Sequence, residues 1–503
     1  MKSHKTALFL TIGLWCLYTL TLGKGPRNGD EMVLFFMAES IVERHSLDIP
    51  QALEAGYPYG KRARDRRFYA PTEALPAVVS APLVAAGKGL LPKNASRVMT
   101  FYVPGTFAEA ATAAAMALTA GLLFLMIDSL GLGTRVAGSA SLLFAVATMA
   151  WPYSRYLYRE PYLSLAIVAA LALLLRWRQR ADPRALFWAG LAVGAGIWCK
   201  REIALALPGI AILALAPARA GAGHEPAVGI PWKSSARALG RFLLGPALAV
   251  GLLLAWNLSR FGDPFTLGYP DADETGKALV GFGTPLWVGL YGFLLSPGKS
   301  VFLFNPPLLL AIPGLALLWR RDRVLATTLS AIVAVNLLVL STWNHWEGAW
   351  CWGPRHALPW VAVAMPAIAC FLVHRPRGAV ARVVWRGAIV IVTGLGCGAQ
   401  VLGVFVSYMT YARHSGAYYK DIATYQITFN PWRAHWEQLL FHLDSIRMGR
   451  IPDLDLWQCF FLAEGVSPLL IVGASAALGA GSIVGLLVFW RRASRESVDQ
   501  IPQ

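Results

Sequence analysis

The chain is poor in charge. Only 15% of its 503 residues are Asp, Glu, Lys or Arg, against 56% hydrophobic. A soluble fold of this size carries a larger charged surface than that. The mean hydropathy of +0.50 comes from apolar runs too numerous to form one buried core, so the bilayer must be their solvent. Cysteine is sparse as well: six in all, with no CxxC pair, which argues against a metal cluster or a disulfide scaffold. Cys16, Cys199, Cys370 and Cys397 lie in or beside apolar stretches, and only Cys351 and Cys459 fall in loops expected outside, where they can pair. The first apolar run, 7–23, has no small-x-small cleavage site and is followed by Lys24, Gly25, Pro26 and Arg27. It reads as an uncleaved span rather than a signal. No soluble insert, internal repeat or low-complexity linker interrupts the chain.

What is present is a series of twelve expected spans, at 7–23, 106–127, 136–151, 161–175, 185–199, 203–216, 242–256, 301–319, 325–342, 357–373, 387–406 and 467–490. The expectation is therefore an all-α polytopic membrane protein, a single membrane domain over 1–490 with a cytoplasmic tail at 491–503. The net charge of +17 does not indicate nucleic acid, because most Arg and Lys sit in short loops beside apolar runs. One further segment, 73–91, is apolar enough to span but contains Pro76, Pro82 and Lys88. If it spans, the clusters around Arg178, Lys233, Arg320, Arg377 and Arg491 all land outside, against the positive-inside rule. It is read instead as a helix at the outer interface or re-entering from it. External segments then cover 24–105, 152–160, 257–300, 343–356 and 407–466.

Those segments hold the chemistry. Asn28-Gly29-Asp30 is a plausible helix start, since Asn and Asp cap N-termini and carboxylates favour the positive dipole end. A short amphipathic surface helix opening with Asp30 and Glu31 is expected. A carboxylate at headgroup height can take the proton of an attacking hydroxyl; an ordinary cap is the plainer reading. Next come Lys61, Arg62, Arg64, Arg66 and Arg67, five basic residues in seven positions. On the outer face they suit a phosphate or pyrophosphate, or else form a solvated loop. Lys200 and Arg201, with Glu202 at the ends of two spans, are comparable, because charges beside a membrane core are paired or functional. The 151–161 stretch combines Arg155, Arg159 and Glu160 with Trp151, Tyr153, Tyr156 and Tyr158, where an interfacial belt also explains the aromatics. The 343–356 loop carries four Trp with His345, Glu347, Arg355 and His356. Aromatic faces beside hydrogen-bonding groups suit a carbohydrate, while the His spacing does not suit a zinc site.

In this order the segments resemble the GT-C superfamily of lipid-phosphosugar-dependent glycosyltransferases, and within it the protein O-mannosyltransferases and lipid A aminoarabinose transferases. The residues that carry the resemblance are Asp30-Glu31, the stretch from Tyr153 to the Arg159-Glu160-Pro161 triplet, and Asn257-Leu258-Ser259-Arg260-Phe261-Gly262-Asp263-Pro264 running to Gly268-Tyr269. Ser296-Pro297-Gly298-Lys299-Ser300 and Trp352-Gly353-Pro354-Arg355 complete them. The resemblance implies a GT-C-like bundle, a sugar donor on a polyprenyl phosphate, an envelope glycan, lipid or protein as acceptor, and no cofactor. It assigns the catalytic base to Asp30, with Glu31 beside it. Many members carry Glu-Lys-Pro-Pro after the first surface helix, where this chain has Tyr69-Ala70-Pro71-Thr72. The donor phosphate then falls to Lys61, Arg62, Arg64, Arg66 or Arg67, with Lys200 and Arg201. Tyr69, Arg159, Glu160, Arg260, Lys299, Trp346, Glu347, Trp352, Arg355 and His356 are candidate substrate-binding residues. The Arg- and Ala-rich composition looks bacterial, which places the chain in an inner or plasma membrane. A flippase of lipid-linked sugars, which predicts ionisable residues in mid-span, and a glycan polymerase or ligase are the alternatives.

Overall fold

The computed structural model describes residues 2–57, 59–216, 232–266, 268–269, 281–414 and 424–498. Parts of the expected external segments 257–300 and 407–466, and the end of the 491–503 tail, lie outside the described residues.

Helices dominate the described residues, and the one sheet among them is a two-stranded antiparallel hairpin, Lys61–Arg62 with Phe68–Tyr69. Seven of the twelve expected spans coincide with helices long and apolar enough to cross a membrane: Arg97–Ser129, Glu160–Arg180, Ala238–Phe261, Arg323–Ser341, Arg355–Val373, Ala379–Phe405 and Pro468–Ser497. The expected span at 301–319 is broken into the short pieces Val301–Phe304, Pro306–Leu310 and Ala311–Arg321, because Pro306 and Pro307 lack the amide hydrogens that a continuous helix needs. The 203–216 stretch is likewise a 3-10 turn, Arg201–Ala206, followed by Leu207–Leu215 with Pro208 in its first turn.

The Arg97–Ser129 helix is the central post. Ser96 caps it by accepting from Met99 N at 3.1 Å. At 1.5 Å per residue its 33 residues run about 50 Å, well beyond the roughly 30 Å of a hydrocarbon core. It packs against the Lys2–Leu20, Leu75–Gly89, Thr134–Ala147 and Glu160–Arg180 helices. The Lys2–Leu20 helix also pairs with Pro468–Val498. A Cβ placed on Gly13 would lie 2.9 Å from Leu486 N, and one on Gly485 2.7 Å from Gly13 Cα. Small residues at this crossing are what let two apolar helices touch backbone to backbone.

The first external segment follows its expected start and departs from its expected exposure. Asn28 caps the Gly29–Arg44 helix, accepting from Glu31 N. Val33 to Ala38 are all buried, so the middle of this helix is covered on every side, while Glu43 and Arg44 at its end stay exposed. Its cover is the Leu75–Gly89 helix, which buries Pro76, Ala77, Ser80, Ala81 and Val84 and exposes Val78 and Val79. Lys88 fastens the two by pairing with Glu39 at 2.7 Å and with Glu43. The Cys351–Cys459 disulfide that the sequence allows is not made: both are free thiols. Cys351 is buried with its thiol donating to Gly348 O at 3.2 Å, whereas Cys459 belongs to the Trp457–Ala463 helix.

Candidate active site

Five separate helix ends meet at one place. Asp30 lies in the first turn of Gly29–Arg44. Arg159 and Glu160 open the Glu160–Arg180 helix. Lys200, Arg201 and Glu202 form the corner between Pro183–Cys199 and the next 3-10 turn. Arg355 and His356 lead into Leu358–Val373, and Glu73 precedes Leu75–Gly89. Helix N-termini carry a partial positive charge, which suits Asp30 and Glu160.

The contacts form a chain of ion pairs. Arg355 Nη1 meets Asp30 Oδ2 at 2.5 Å, and Arg355 Nε lies 3.6 Å from Glu160 Oε1. Lys200 Nζ reaches the same Glu160 oxygen at 2.9 Å, pairs with Glu202, and stands 3.1 Å from His356 Nδ1. Glu73 is held from both sides, by Arg159 Nη1 at 3.1 Å and Arg201 Nε at 2.5 Å. Burial pushes the Asp30 carboxyl up, but the charges of Arg355 and Arg159 outweigh it and leave it below its ordinary value. Burial likewise opposes the charge on Lys200, yet Glu160 and Glu202 raise its ammonium above the usual range. Asp30 is therefore an ionised carboxylate, 17% exposed on its side chain.

The balance of charge has a remainder. Asp30, Glu73, Glu160 and Glu202 are matched by Arg159, Lys200, Arg201 and Arg355. Arg260, the last basic residue of the Trp232–Phe261 helix, has no carboxylate partner among the described residues. Its guanidinium lies 3.3 Å over the Trp256 ring and 5.4 Å from the Tyr69 ring. It donates to Asn257 Oδ1 at 2.9 Å, while Nε and Nη1 are buried without an acceptor. A buried cation with unused donors is costly and suits an anion that arrives from elsewhere.

Glu31 belongs to a different cluster. It is wholly buried, accepts from Asn28 Nδ2 at 2.6 Å and Leu157 N at 3.3 Å, and sits 3.8 Å from Arg27. Arg27 also binds Glu109 at 2.5 Å and Asp455 at 2.7 Å, and Asp455 lies 3.4 Å from Arg155. Burial raises the Glu31 carboxyl to about 7, with Arg27 opposing. This cluster joins the first and last external segments and has no exposed edge.

The remaining expected residues are placed elsewhere. Lys61, Arg62, Arg64, Arg66 and Arg67 are exposed on the hairpin and, among the described residues, pair with no carboxylate of the ion-pair chain; Arg64 N donates to Arg260 O at 2.8 Å. Lys299 is spent on the Trp-rich loop, donating to the carbonyls of Ala349, Cys351 and Gly353 at 3.0–3.1 Å. Trp352 is fully buried between Phe304 and His435, and Trp346 packs on Phe293. Neither offers a ring face to a ligand. Glu347 is buried 3.9 Å from His345. Tyr69 flanks the site, its hydroxyl donating to Asp65 at 2.9 Å. Glu73, Arg27, Glu109 and Asp455 were not expected; the available signal was an acidic group at the edge of an apolar stretch, which membrane chains rarely keep unpaired.

A family model described as dolichyl-phosphate-mannose-protein mannosyltransferase matches residues 101–225. No curated protein matches the chain by sequence. Among solved structures, ArnT from Cupriavidus metallidurans in the apo state matches over 98% of this chain and 76% of its own, with TM-score 0.50 and 14% identity. The chain has the GT-C fold. ArnT bound to undecaprenyl phosphate gives the same TM-score, at 15% identity, over 98% of this chain and 77% of its own. Arg159, Glu160, Lys200, Arg201 and Glu202 all fall within the segment matched by the family model, so five of the nine residues of the ion-pair chain lie in the part of this GT-C fold with the sequence match.

Proposed function

We propose that the protein is an integral-membrane glycosyltransferase that moves a sugar from a polyprenyl-phosphate donor to an acceptor hydroxyl, with inversion, on the external face of a bacterial membrane. The observation that carries this reading is Asp30, an ionised, partly accessible carboxylate beside a cation-rich cluster whose Arg260 has unused donors. The undecaprenyl phosphate held by ArnT supports a donor of that class.

In this mechanism an acceptor hydroxyl docks against Asp30, which takes its proton as the oxygen attacks the anomeric carbon. The bond from that carbon to the phosphate oxygen breaks, and its electron pair stays with the phosphate. Arg260, with Arg201, stabilises the charge that develops there. Arg355 keeps Asp30 ionised and aims it, while Glu160 and Lys200 hold Arg355 in place. The phosphate role thus moves from the 61–67 run to Arg201 and Arg260. Glu109, an ionisable residue within a spanning helix of the kind a flippase would use, pairs with Arg27 through Oε1. The test is transfer by purified, folded protein in nanodiscs supplied with radiolabelled polyprenyl-phosphate sugars. Asp30→Asn should abolish product formation. Turnover at the wild-type rate would remove Asp30 from the mechanism, and sugar movement without covalent product would favour a flippase.

A further inference from the structure

The 61–67 run takes no part in the buried cluster, yet the fold holds it rigid and exposed. Ile49 N donates to Phe68 O at 2.6 Å and Ala63 N to Arg67 O at 2.9 Å, and Phe68 and Tyr69 are buried. On the other side Arg64 donates through its backbone to Arg260 O and through Nη2 to Gly262 O at 3.4 Å. Five cations ride on this frame, and Asp65 is the carboxylate among them, 3.9 Å from Arg67. Asp48, on the neighbouring segment, is paired with Arg44. Lys61, Arg62, Arg64 and Arg66 have no ion-pair partner among the described residues. Such a local surplus of one sign repels itself and attracts anions.

Position limits what the anion is. The base of the hairpin is Tyr69, whose ring lies beside the Arg260 guanidinium, and an extended strand of about four residues reaches roughly 13 Å from there. The cations therefore rim the buried cluster. Lys61 and Arg62 are consecutive in a strand and both exposed, so they leave the hairpin on opposite faces. A flat bilayer meets one face of a hairpin, whereas a flexible chain can engage both. Guanidinium forks fit phosphate and carboxylate oxygens.

We propose that this hairpin is the docking platform for an acidic glycan acceptor, gripping phosphates or carboxylates that flank the hydroxyl presented to Asp30. The proposal rests on the glycosyltransferase reading for its biological meaning, but its test needs no turnover. Full-length protein in phosphatidylcholine nanodiscs is titrated with polygalacturonate oligomers and, separately, with neutral dextran oligomers. The acidic chain should bind with an affinity that falls as salt rises, and the neutral chain should not bind. The quadruple variant Lys61→Gln/Arg62→Gln/Arg66→Gln/Arg67→Gln leaves the Arg64–Gly262 and Tyr69–Asp65 hydrogen bonds in place and should weaken acidic binding by about tenfold or more at low salt. A charge-keeping variant, Arg62→Lys/Arg66→Lys/Arg67→Lys, should retain most of it, which separates charge from folding. Unchanged affinity in the quadruple variant would overturn the proposal. So would loss of wild-type binding when phosphatidylglycerol is added to the disc, because the cations would then belong to lipid headgroups. Failure of this binding assay leaves the Asp30→Asn result intact, and failure of Asp30→Asn leaves the binding result intact.

Discussion

Asp30 and Glu31 are consecutive on one helix, and each belongs to a different buried charge network. Asp30 faces the ion-pair chain of Arg355, Glu160 and Lys200, with 17% of its side chain exposed. Glu31, about 100° further round the helix, faces Arg27, Glu109 and Asp455 with no exposure. The two networks use the same residue types at similar distances. They differ in closure and in surplus. The Arg27 network offers three carboxylates to two guanidiniums and is sealed on every side. Both networks keep buried guanidinium nitrogens without an acceptor among the described residues, but the Asp30 network has an open edge and an extra cation, Arg260. Buried charge alone therefore does not mark a site; buried charge with access and an unanswered partner does.

That comparison breaks most sharply at its two adjacent carboxylates. Asp30→Asn is expected to lower turnover by about 10³-fold, within the range for a lost general base, measured on protein that remains folded although Arg355 loses its 2.5 Å partner. Glu31→Gln should keep turnover within severalfold, and a thousandfold loss there would erase the distinction. Arg27→Met, by contrast, leaves Glu109 buried without its cation and Asp455 with Arg155 alone. It should cost about 3–5 kcal/mol of stability, read as a lower denaturant midpoint in nanodiscs or mixed micelles. Arg260→Gln should raise the KM for the lipid-linked donor by about tenfold to a hundredfold through loss of a charge-assisted contact. It should do so without lowering the unfolding midpoint, because Arg260 has no carboxylate to abandon.

The smallest expected effect is a pH dependence. Glu31 holds its proton more tightly in the folded state, where its carboxyl titrates at about 7. Its contribution to stability is therefore complete below the ordinary glutamate value of about 4.3 and is lost as pH rises through about 7. The wild-type unfolding midpoint should decline across that window and Glu31→Gln should flatten the decline. Parallel curves would show that Glu31 titrates elsewhere.

Local rules carried the sequence reading furthest. Asn28 announces a helix start because a cap acts over three residues. Apolar runs announce spans because the bilayer acts on every residue in them. The cluster of Arg159, Glu160, Lys200, Arg201, Arg355 and His356 was also within reach, since each charge stands at the end of an apolar run. What the sequence does not display is partnership. Arg27 and Asp455 are 428 positions apart, and no local pattern links them. The five-cation run looked like the phosphate site because its charge density is high, but density says nothing about depth. Arg260, a single Arg at the end of a span, is the one the fold buries. The Trp-rich loop misled for the related reason that a tryptophan suited to a sugar is equally suited to a core, and Trp352 packs inside.

The Arg27 network also sets a schedule for the chain's own assembly. Arg27 and Arg155 emerge from the ribosome early, but their shared partner Asp455 arrives only when most of the polypeptide has been made. Until then two guanidiniums wait with an incomplete set of counter-charges, so the helix bearing Asp30 is not locked against its neighbours. Lesions near residue 455 should therefore appear first as a lower yield of folded protein and only then as a loss of turnover.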